Sequence, residues 1–295
     1  MLTASIPSPS SPYLTIGPLS VHWYGIFIAA AVVLAVIITK RRFAARGGKK
    51  EVVDEVALVA VLMGVIGARI WHVATQWGFY RSHPSEMFKV WGGGLAIFGA
   101  LIGGAIGALA VLKYRKASVV DFADAVAPAL PFAQAIGRLG NYFNQELYGK
   151  PSHLPWALRI DADNRIAPYG SATTFHPVFL YEALANLLLG TILLLLDRKQ
   201  LVRRGVLLPF YITGYGLIRC LVEMLRIDRR YDPFGWTING YISLGIFVLG
   251  LIWSIIAWKR GTAPIRNRAT SHARGVDDLV HEMLFRDEKS QTSLP

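Results

Sequence analysis

The sequence predicts an all-α polytopic membrane protein of seven transmembrane helices, N-terminus outside and C-terminus inside, with a small external cap. Three observations lead there. Of the 295 residues, 53% are hydrophobic and 17% charged, with a mean hydropathy of +0.40, too apolar for a soluble domain of this length. Apolar stretches of the about 17–25 residues needed to span a bilayer recur along the chain. The basic residues sit in short runs between them, at 40–50, 113–116, 198–204 and from 259 onward, as in loops held on the cytoplasmic side. The net charge of +12 therefore reports topology, and nucleic acid is excluded as a partner.

Residues 1–39 contain no Lys, Arg, Asp or Glu. A cleavable signal peptide needs a positive n-region, so the first apolar run reads as an uncleaved anchor behind an external segment, 1–20. Spans follow at 21–39, 55–76, 92–112, 121–140, 178–196, 206–225 and 237–258. The fourth is the weakest, because it carries Asp121, Asp124, Pro128, Pro131 and Arg138. Charge decides that it crosses. Were it re-entrant, the run at 198–204 and the tail would face outward, whereas seven crossings put twenty of the 31 Lys and Arg inside. Such an interrupted helix is tolerated where protein or cavity water covers its freed backbone groups.

The transmembrane unit is thus 21–258, with 141–176 as its external cap and 259–295 as a cytoplasmic tail. In the cap, 156–160 and 165–167 flank Asp161-Ala162-Asp163-Asn164 and suggest a short hairpin, or else an ordinary surface loop. Gly99, Gly103 and Gly107 form a small-residue face on the third span that lets a neighbouring helix approach closely. In the tail, Val276, Leu279, Val280, Met283 and Leu284 suggest one short amphipathic helix. The single cysteine, Cys220, excludes an internal disulfide and reads as a small buried hydrophobe.

The stretch 137–149 (GRLGNYFNQELYG) packs an arginine, two asparagines, a glutamine and a glutamate into the end of the fourth span. A mid-bilayer arginine costs roughly 2.5–3.5 kcal/mol on translocon scales, so this cluster implies a cavity lining or a polar ligand. Other short motifs accompany it. His22-Trp23-Tyr24-Gly25 opens the first span and Trp91-Gly92-Gly93-Gly94-Leu95 the third. His176-Pro177, with Leu180-Tyr181-Glu182, opens the fifth. Gly214-Tyr215-Gly216-Leu217-Ile218-Arg219, then Glu223 and Arg226, run along the sixth. In this order the set closely resembles the bacterial prolipoprotein diacylglyceryl transferases over about 20–260, with 137–149 as the family's signature.

That resemblance implies transfer of the diacylglyceryl group of phosphatidylglycerol to the thiol of a lipobox cysteine in a prolipoprotein signal peptide. The products are a thioether and glycerol phosphate. It implies a multi-pass protein of the bacterial plasma membrane, and no cofactor or metal is expected; the expected state is a monomer. The chemistry needs charge stabilisation on a leaving phosphate and a thiolate from a group of pKa about 8.5. Arginine suits the first task, because its fork stays charged and grips phosphate bidentately. By resemblance Arg138 binds the phosphate, with Asn141 and Glu146 orienting the headgroup and holding the arginine, and Arg219 is a second essential cation. Glu223, at i+4 from Arg219, orients it. Gly149, His176, Glu182 and Tyr215 complete the expected substrate site. The structural alternatives are a snorkelling Arg138 or one paired with Glu146, a purely structural Arg219–Glu223 pair, and Arg226 as a headgroup anchor.

Many family members carry histidine where this chain has Phe98. Phe cannot accept a proton, so His22, Tyr24, His72 and His176 are the candidates for the thiol base. Tyr24, or water beside two arginines, is the expected solution. Two other functions fit less well. A transporter of an anionic amphiphile would also want intramembrane arginines, but its inverted repeat is not visible in the sequence. A hydrolase lacks a frame, because Ser171 stands outside any Gly-x-Ser-x-Gly.

Overall fold

The computed structural model describes residues 5–89, 93–227 and 237–262. Trp91 and Gly92, and the proposed amphipathic helix of the tail, lie outside them. The helices are α1 (Trp23–Ala45), α2 (Lys50–Thr75), the single turn α3 (Trp77–Tyr80), α4 (Ile97–Tyr114), α5 (Val119–Val126), α6 (Ala129–Phe143), α7 (Val178–Arg198), α8 (Leu207–Glu223) and α9 (Ile238–Arg260). Two small antiparallel pairs accompany them, β1 (Tyr13–Ile16) with β2 (Leu19–His22) and β3 (Leu158–Arg159) with β4 (Thr174–Phe175).

Five of these helices are long and apolar enough to cross a membrane, or six when α5 and α6, bent by 41° at their break, are one span. Large side chains stand outward from them, such as Leu58 at 64%, Leu101 at 63% and Leu249 at 68% exposure. A water-soluble monomer rarely exposes apolar surface on this scale, whereas lipid solvates it, so the chain is a polytopic membrane protein. Helix α8 has 17 residues, at the short end of the spanning range.

The break between α5 and α6 follows from Pro128 and Pro131, which remove backbone donors from the helical ladder. The two aspartates that made this span look weak are structural. Asp124, 3% exposed, accepts from the backbone N–H groups of Gly205 at 2.6 Å and Leu207 at 3.1 Å, so it caps the start of α8. Asp121 takes both arms of Arg204 at 2.6 Å.

Helices α2 and α4 approach closely through the predicted glycine face. A Cβ on Gly99 would lie 2.1 Å from the Gly67 carbonyl oxygen, and one on Gly103 2.2 Å from that of Met63. No side chain fits at either contact. Where α2 begins and α4 ends, Phe43, Val52, Val56, Leu112 and Phe122 form a core that binds α1, α2, α4 and α5 together.

Within the 141–176 connection, Tyr148, Leu158, Ile160 and Phe175 form a core together with Phe179 of α7 and with Ile227. The predicted hairpin is corrected here. Leu158–Arg159 pairs with Thr174–Phe175, not with 165–167, and Ala162–Asn164 is a 3-10 turn. The reason is burial: Phe175 is fully buried and Ile166 is 36% exposed, so pairing with 174–175 puts more apolar surface inside. The N-terminal segment joins this connection, since the Ile6 N–H donates to the Ala157 carbonyl at 2.8 Å and that of Arg159 to Ile6 at 2.9 Å.

Candidate active site

Helix α7 packs between α6 and α8, and this arrangement determines the site. The signature runs through the last two turns of α6 into the following loop, so Arg138 faces α7 from one side. Arg219 sits on the last turns of α8, on the other side. Between them stands Glu182, on the second turn of α7 and 2% exposed. Arg138 Nη2 donates to Glu182 Oε1 at 2.6 Å, and Arg219 Nη1 to Glu182 Oε2 at 2.8 Å.

Arg219 Nη2 also reaches Glu223 Oε2 at 3.0 Å, and Arg226 lies 3.9 Å from the same oxygen. Glu223 is fully buried and receives the Thr237 hydroxyl at 2.9 Å. Thr237 in turn caps α9 by accepting from the Gly240 N–H at 2.9 Å, so the start of the last helix is tied to the cluster. The Tyr215 hydroxyl lies within electrostatic reach of Glu182, Arg219 and Arg138.

The expected holder of Arg138 is corrected by this geometry. Glu146 accepts from the Asn141 amide at 2.8 Å and the Asn144 amide at 2.9 Å, and its link to Arg138 runs only through Asn141 Oδ1, a long 3.4 Å contact. Glu146 falls in the loop after α6, whereas Glu182 projects from a rigid neighbouring helix. Sequence spacing favoured the near carboxylate, and packing delivered the distant one.

Gly149 is placed for backbone pairing. Its N–H donates to the His176 carbonyl at 2.9 Å, and the Lys150 N–H donates to Leu225 at 2.9 Å. A Cβ there would lie 2.6 Å from Val178 Cγ2 and 2.7 Å from the Leu225 carbonyl oxygen. The end of the signature is therefore stitched between the start of α7 and the end of α8. Arg226, opposite Gly149 in this bridge and with an 11% exposed side chain, is built into the cluster.

Two residues between α6 and Gly149 take left-handed backbone angles, Gln145 at φ 50° and Leu147 at φ 57°. This conformation costs an L-residue roughly 1–2 kcal/mol. Gln145 is held there by its own amide, which donates to Asp161 Oδ2 at 2.7 Å and accepts from the Asp161 N–H at 2.8 Å. Tyr148, 1% exposed, donates to the Asn164 carbonyl at 2.7 Å and accepts from the Ile166 N–H at 2.8 Å. Asp161, Asn164 and Ile166 thus fix the loop that carries the signature.

The candidate bases divide by location. Tyr24 packs on α6, its Cδ2 where a Cβ on Gly140 would be only 2.6 Å away, and it is 38% exposed. His22 caps α1 by accepting from the Tyr24 N–H at 3.4 Å. The His176 ring nitrogen lies 3.2 Å from the Tyr181 hydroxyl, which also accepts from Trp156 Nε1 at 2.9 Å. His72 and Phe98 belong to the α2–α4 pair, His72 edge-on to Tyr80 and Phe98 beside Trp71. Arg69, the third arginine within the predicted spans, ties this pair to 84–89 and 93–94 by donating to the carbonyls of Met87 at 2.9 Å, Gly93 at 3.1 Å and Gly94 at 3.0 Å.

Sequence reasoning missed two further polar residues on the helices that carry Arg138 and Glu182. Gln134, one turn before Arg138, donates to the Tyr211 hydroxyl at 2.8 Å. Asn186, one turn after Glu182, is fully buried, and its amide has no hydrogen-bond partner among the described residues. The i, i+4 spacing of Gln134 with Arg138 and of Glu182 with Asn186 was the available signal.

Fold and cluster together define a polytopic membrane protein whose helices hold paired arginines on one buried carboxylate. The family model of prolipoprotein diacylglyceryl transferase matches residues 12–256, and the chain belongs to that family. Curated relatives named phosphatidylglycerol–prolipoprotein diacylglyceryl transferase include one from Frankia alni, 42% identical over 90% of this chain and 70% of its own length. One from Corynebacterium efficiens is 41% identical over 92% and 89%. One from Cutibacterium acnes is 41% identical over 87% and 88%.

Proposed function

We propose that this protein is a phosphatidylglycerol–prolipoprotein diacylglyceryl transferase of the bacterial plasma membrane, acting as a monomer with seven crossings, N-terminus outside and C-terminus inside. The bent α5–α6 pair and the 17-residue α8 supply the sixth and seventh spans beside the five long helices, and 141–176 forms the external cap. The observation that carries the reading is the sharing of Glu182 by Arg138 and Arg219.

A guanidinium has five N–H donors in a rigid fork. Glu182 and Glu223 consume only some of them, so both forks are oriented while donors remain for a headgroup phosphate. Arg138, with a 20% exposed side chain against 12% for Arg219, is the more accessible of the two.

In the reaction the lipobox thiolate attacks the terminal sp3 carbon of the diacylglyceryl group. The new C–S bond forms as the C–O bond to phosphate breaks, and glycerol phosphate leaves with the electron pair. The arginines stabilise the charge that collects on the departing phosphate, and the thiol proton passes to water, directly or relayed through the Tyr24 hydroxyl, which gives up its own proton as it takes the new one. Such preorganised donors act without reorganising at the moment of reaction. Asn141 and Glu146 orient the headgroup, and His176 and Tyr215 line its site.

The test is purified protein with phosphatidylglycerol and a lipobox peptide, scored by mass for the thioether product. Product formation that is lost in a folded Arg138→Ala variant supports the assignment, and near-normal turnover of that variant removes Arg138 from the phosphate clamp.

A further inference from the structure

At the other end of the bundle from Glu182 the helix ends form an open, arginine-lined cavity of about 370 Å³. Sixteen residues of α7 separate Glu182 from Arg198, roughly 24 Å of helix at 1.5 Å per residue, so the two sites are distinct. Arg41, Arg42, Arg46, Arg198, Arg203 and Arg204 all line this cavity, against two acidic residues, Asp124 and Asp197.

The arginines fall into two groups. Arg42 and Arg46 share Asp197, and Arg42 also donates to the carbonyls of Ala125 at 3.0 Å and Asp124 at 2.9 Å. Arg204 is taken by Asp121. These three, held by Asp197 and Asp121, form a hydrogen-bonded floor. Arg41 and Arg198 make no hydrogen bond or ion pair with any described residue, and Arg203 donates only to the Trp258 carbonyl at 3.0 Å while lying over the Trp258 ring. Three guanidinium groups with no carboxylate among the described residues thus face one cavity. Holding like charges together is unfavourable unless an anion joins them.

We propose that this cavity binds the phosphate headgroup of an anionic phospholipid from the leaflet at this end of the protein. Arg41, Arg198 and Arg203 supply the fork contacts that suit phosphate. Ile38 and Leu194 also line the cavity, each about one turn before a free arginine on the same helix, and so give an apolar wall along which an acyl chain runs. Basic pockets between helix ends are suited to lipid headgroups in this way. The site is independent of the transfer reaction.

The test titrates the full chain in a neutral maltoside detergent with dioleoyl phosphatidic acid or dioleoyl phosphatidylcholine, reading bound lipid by native mass spectrometry. Phosphatidic acid should occupy a tight site that phosphatidylcholine does not fill. In the Arg41→Gln/Arg198→Gln/Arg203→Gln variant its affinity should fall about a hundredfold. The Arg41→Lys/Arg198→Lys/Arg203→Lys variant keeps the charges that fix topology but loses the forks, and should fall about tenfold. It carries the test if the glutamine variant does not fold. Inorganic phosphate competing at millimolar levels, with the same dependence on these arginines, supports the site with a soluble anion as its occupant. Equal phosphatidic acid affinity in the wild type and the folded variants overturns the proposal.

Discussion

Arg138 and Arg219 come from two different helices and meet on opposite oxygens of the Glu182 carboxylate, at 2.6 and 2.8 Å. Buried at 2% exposure, that carboxylate both neutralises and aligns the two cations. Breaking a buried ionic network by removing one partner is destabilising by roughly 3–5 kcal/mol, because the other charges stay behind. Glu182→Gln keeps the shape but loses the charge. Its turnover in the thioether assay should fall by about a hundredfold, the usual effect of an ångström-scale misplacement. Headgroup binding should weaken less. A Glu182→Gln enzyme with wild-type turnover would show that alignment of the pair does not matter.

Arg138 and Lys differ at a site that needs a fork. Arg138→Ala should lower turnover by at least about a thousandfold, the scale of a lost charge-stabilising donor. Arg138→Lys should recover only part of it, since an ammonium cannot serve Glu182 and a phosphate in one plane. Single-turnover rates on matched, folded samples check this. Full recovery by lysine would mean that a point charge is enough.

Gly149 has no room for a methyl group. With a Cβ 2.7 Å from the Leu225 carbonyl oxygen and 2.6 Å from Val178, Gly149→Ala must push the start of α7 from the end of α8. Overpacking of this kind costs about 1–3 kcal/mol. A thermal melt in detergent should show a midpoint several degrees lower, with turnover reduced because Glu182 and Arg219 ride on those two helices. An unchanged midpoint would indicate that the bridge yields freely.

Asp161 predicts how acid acts on the cap. Hydrogen bonds from the Gln145 amide, at 2.7 Å, and the Ser8 hydroxyl, at 2.8 Å, hold its carboxyl below the usual carboxylate value. A depressed folded value gives stability that is present above the unfolded pKa of about 3.9 and lost as pH falls through the lower folded one. Limited proteolysis of the N-terminal segment should therefore accelerate below about pH 4. Asp161→Asn should show faster cleavage already at neutral pH and little change on acidification. Identical pH profiles for the two proteins would remove Asp161 from this role.

Cys220 follows Arg219 on α8 and is partly buried. Since the reacting sulfur in the proposed chemistry belongs to the peptide, Cys220→Ala should retain turnover within about twofold, a change of under 0.5 kcal/mol. Loss of activity in the folded variant would bring this thiol into the mechanism.

Much of the architecture was legible in the sequence because the bilayer imposes one-dimensional rules. Apolar length marked the helices, the two prolines at 128 and 131 marked the bend of α5–α6, and the glycine spacing at 99, 103 and 107 marked the contact with α2. The cap was less legible. Strand partners of two residues leave almost no periodic signal, and burial of Phe175 outweighed the local turn at 161–164. Two left-handed residues in the signature, Gln145 and Leu147, also had no signal, since neither is a type that favours that conformation.

For the site, the sequence by itself marked the polar residues that a membrane chain keeps at some cost, Arg138, Asn141, Glu146, Arg219 and Glu223, while Glu182 entered only through the family resemblance. The cost of polar groups near hydrocarbon makes those five conspicuous without any coordinates. Only the tertiary structure decided the pairing, giving Arg138 to Glu182 and leaving Glu146 to two asparagines. An ion pair depends on distance in space, and that distance is set by α7 packing between α6 and α8.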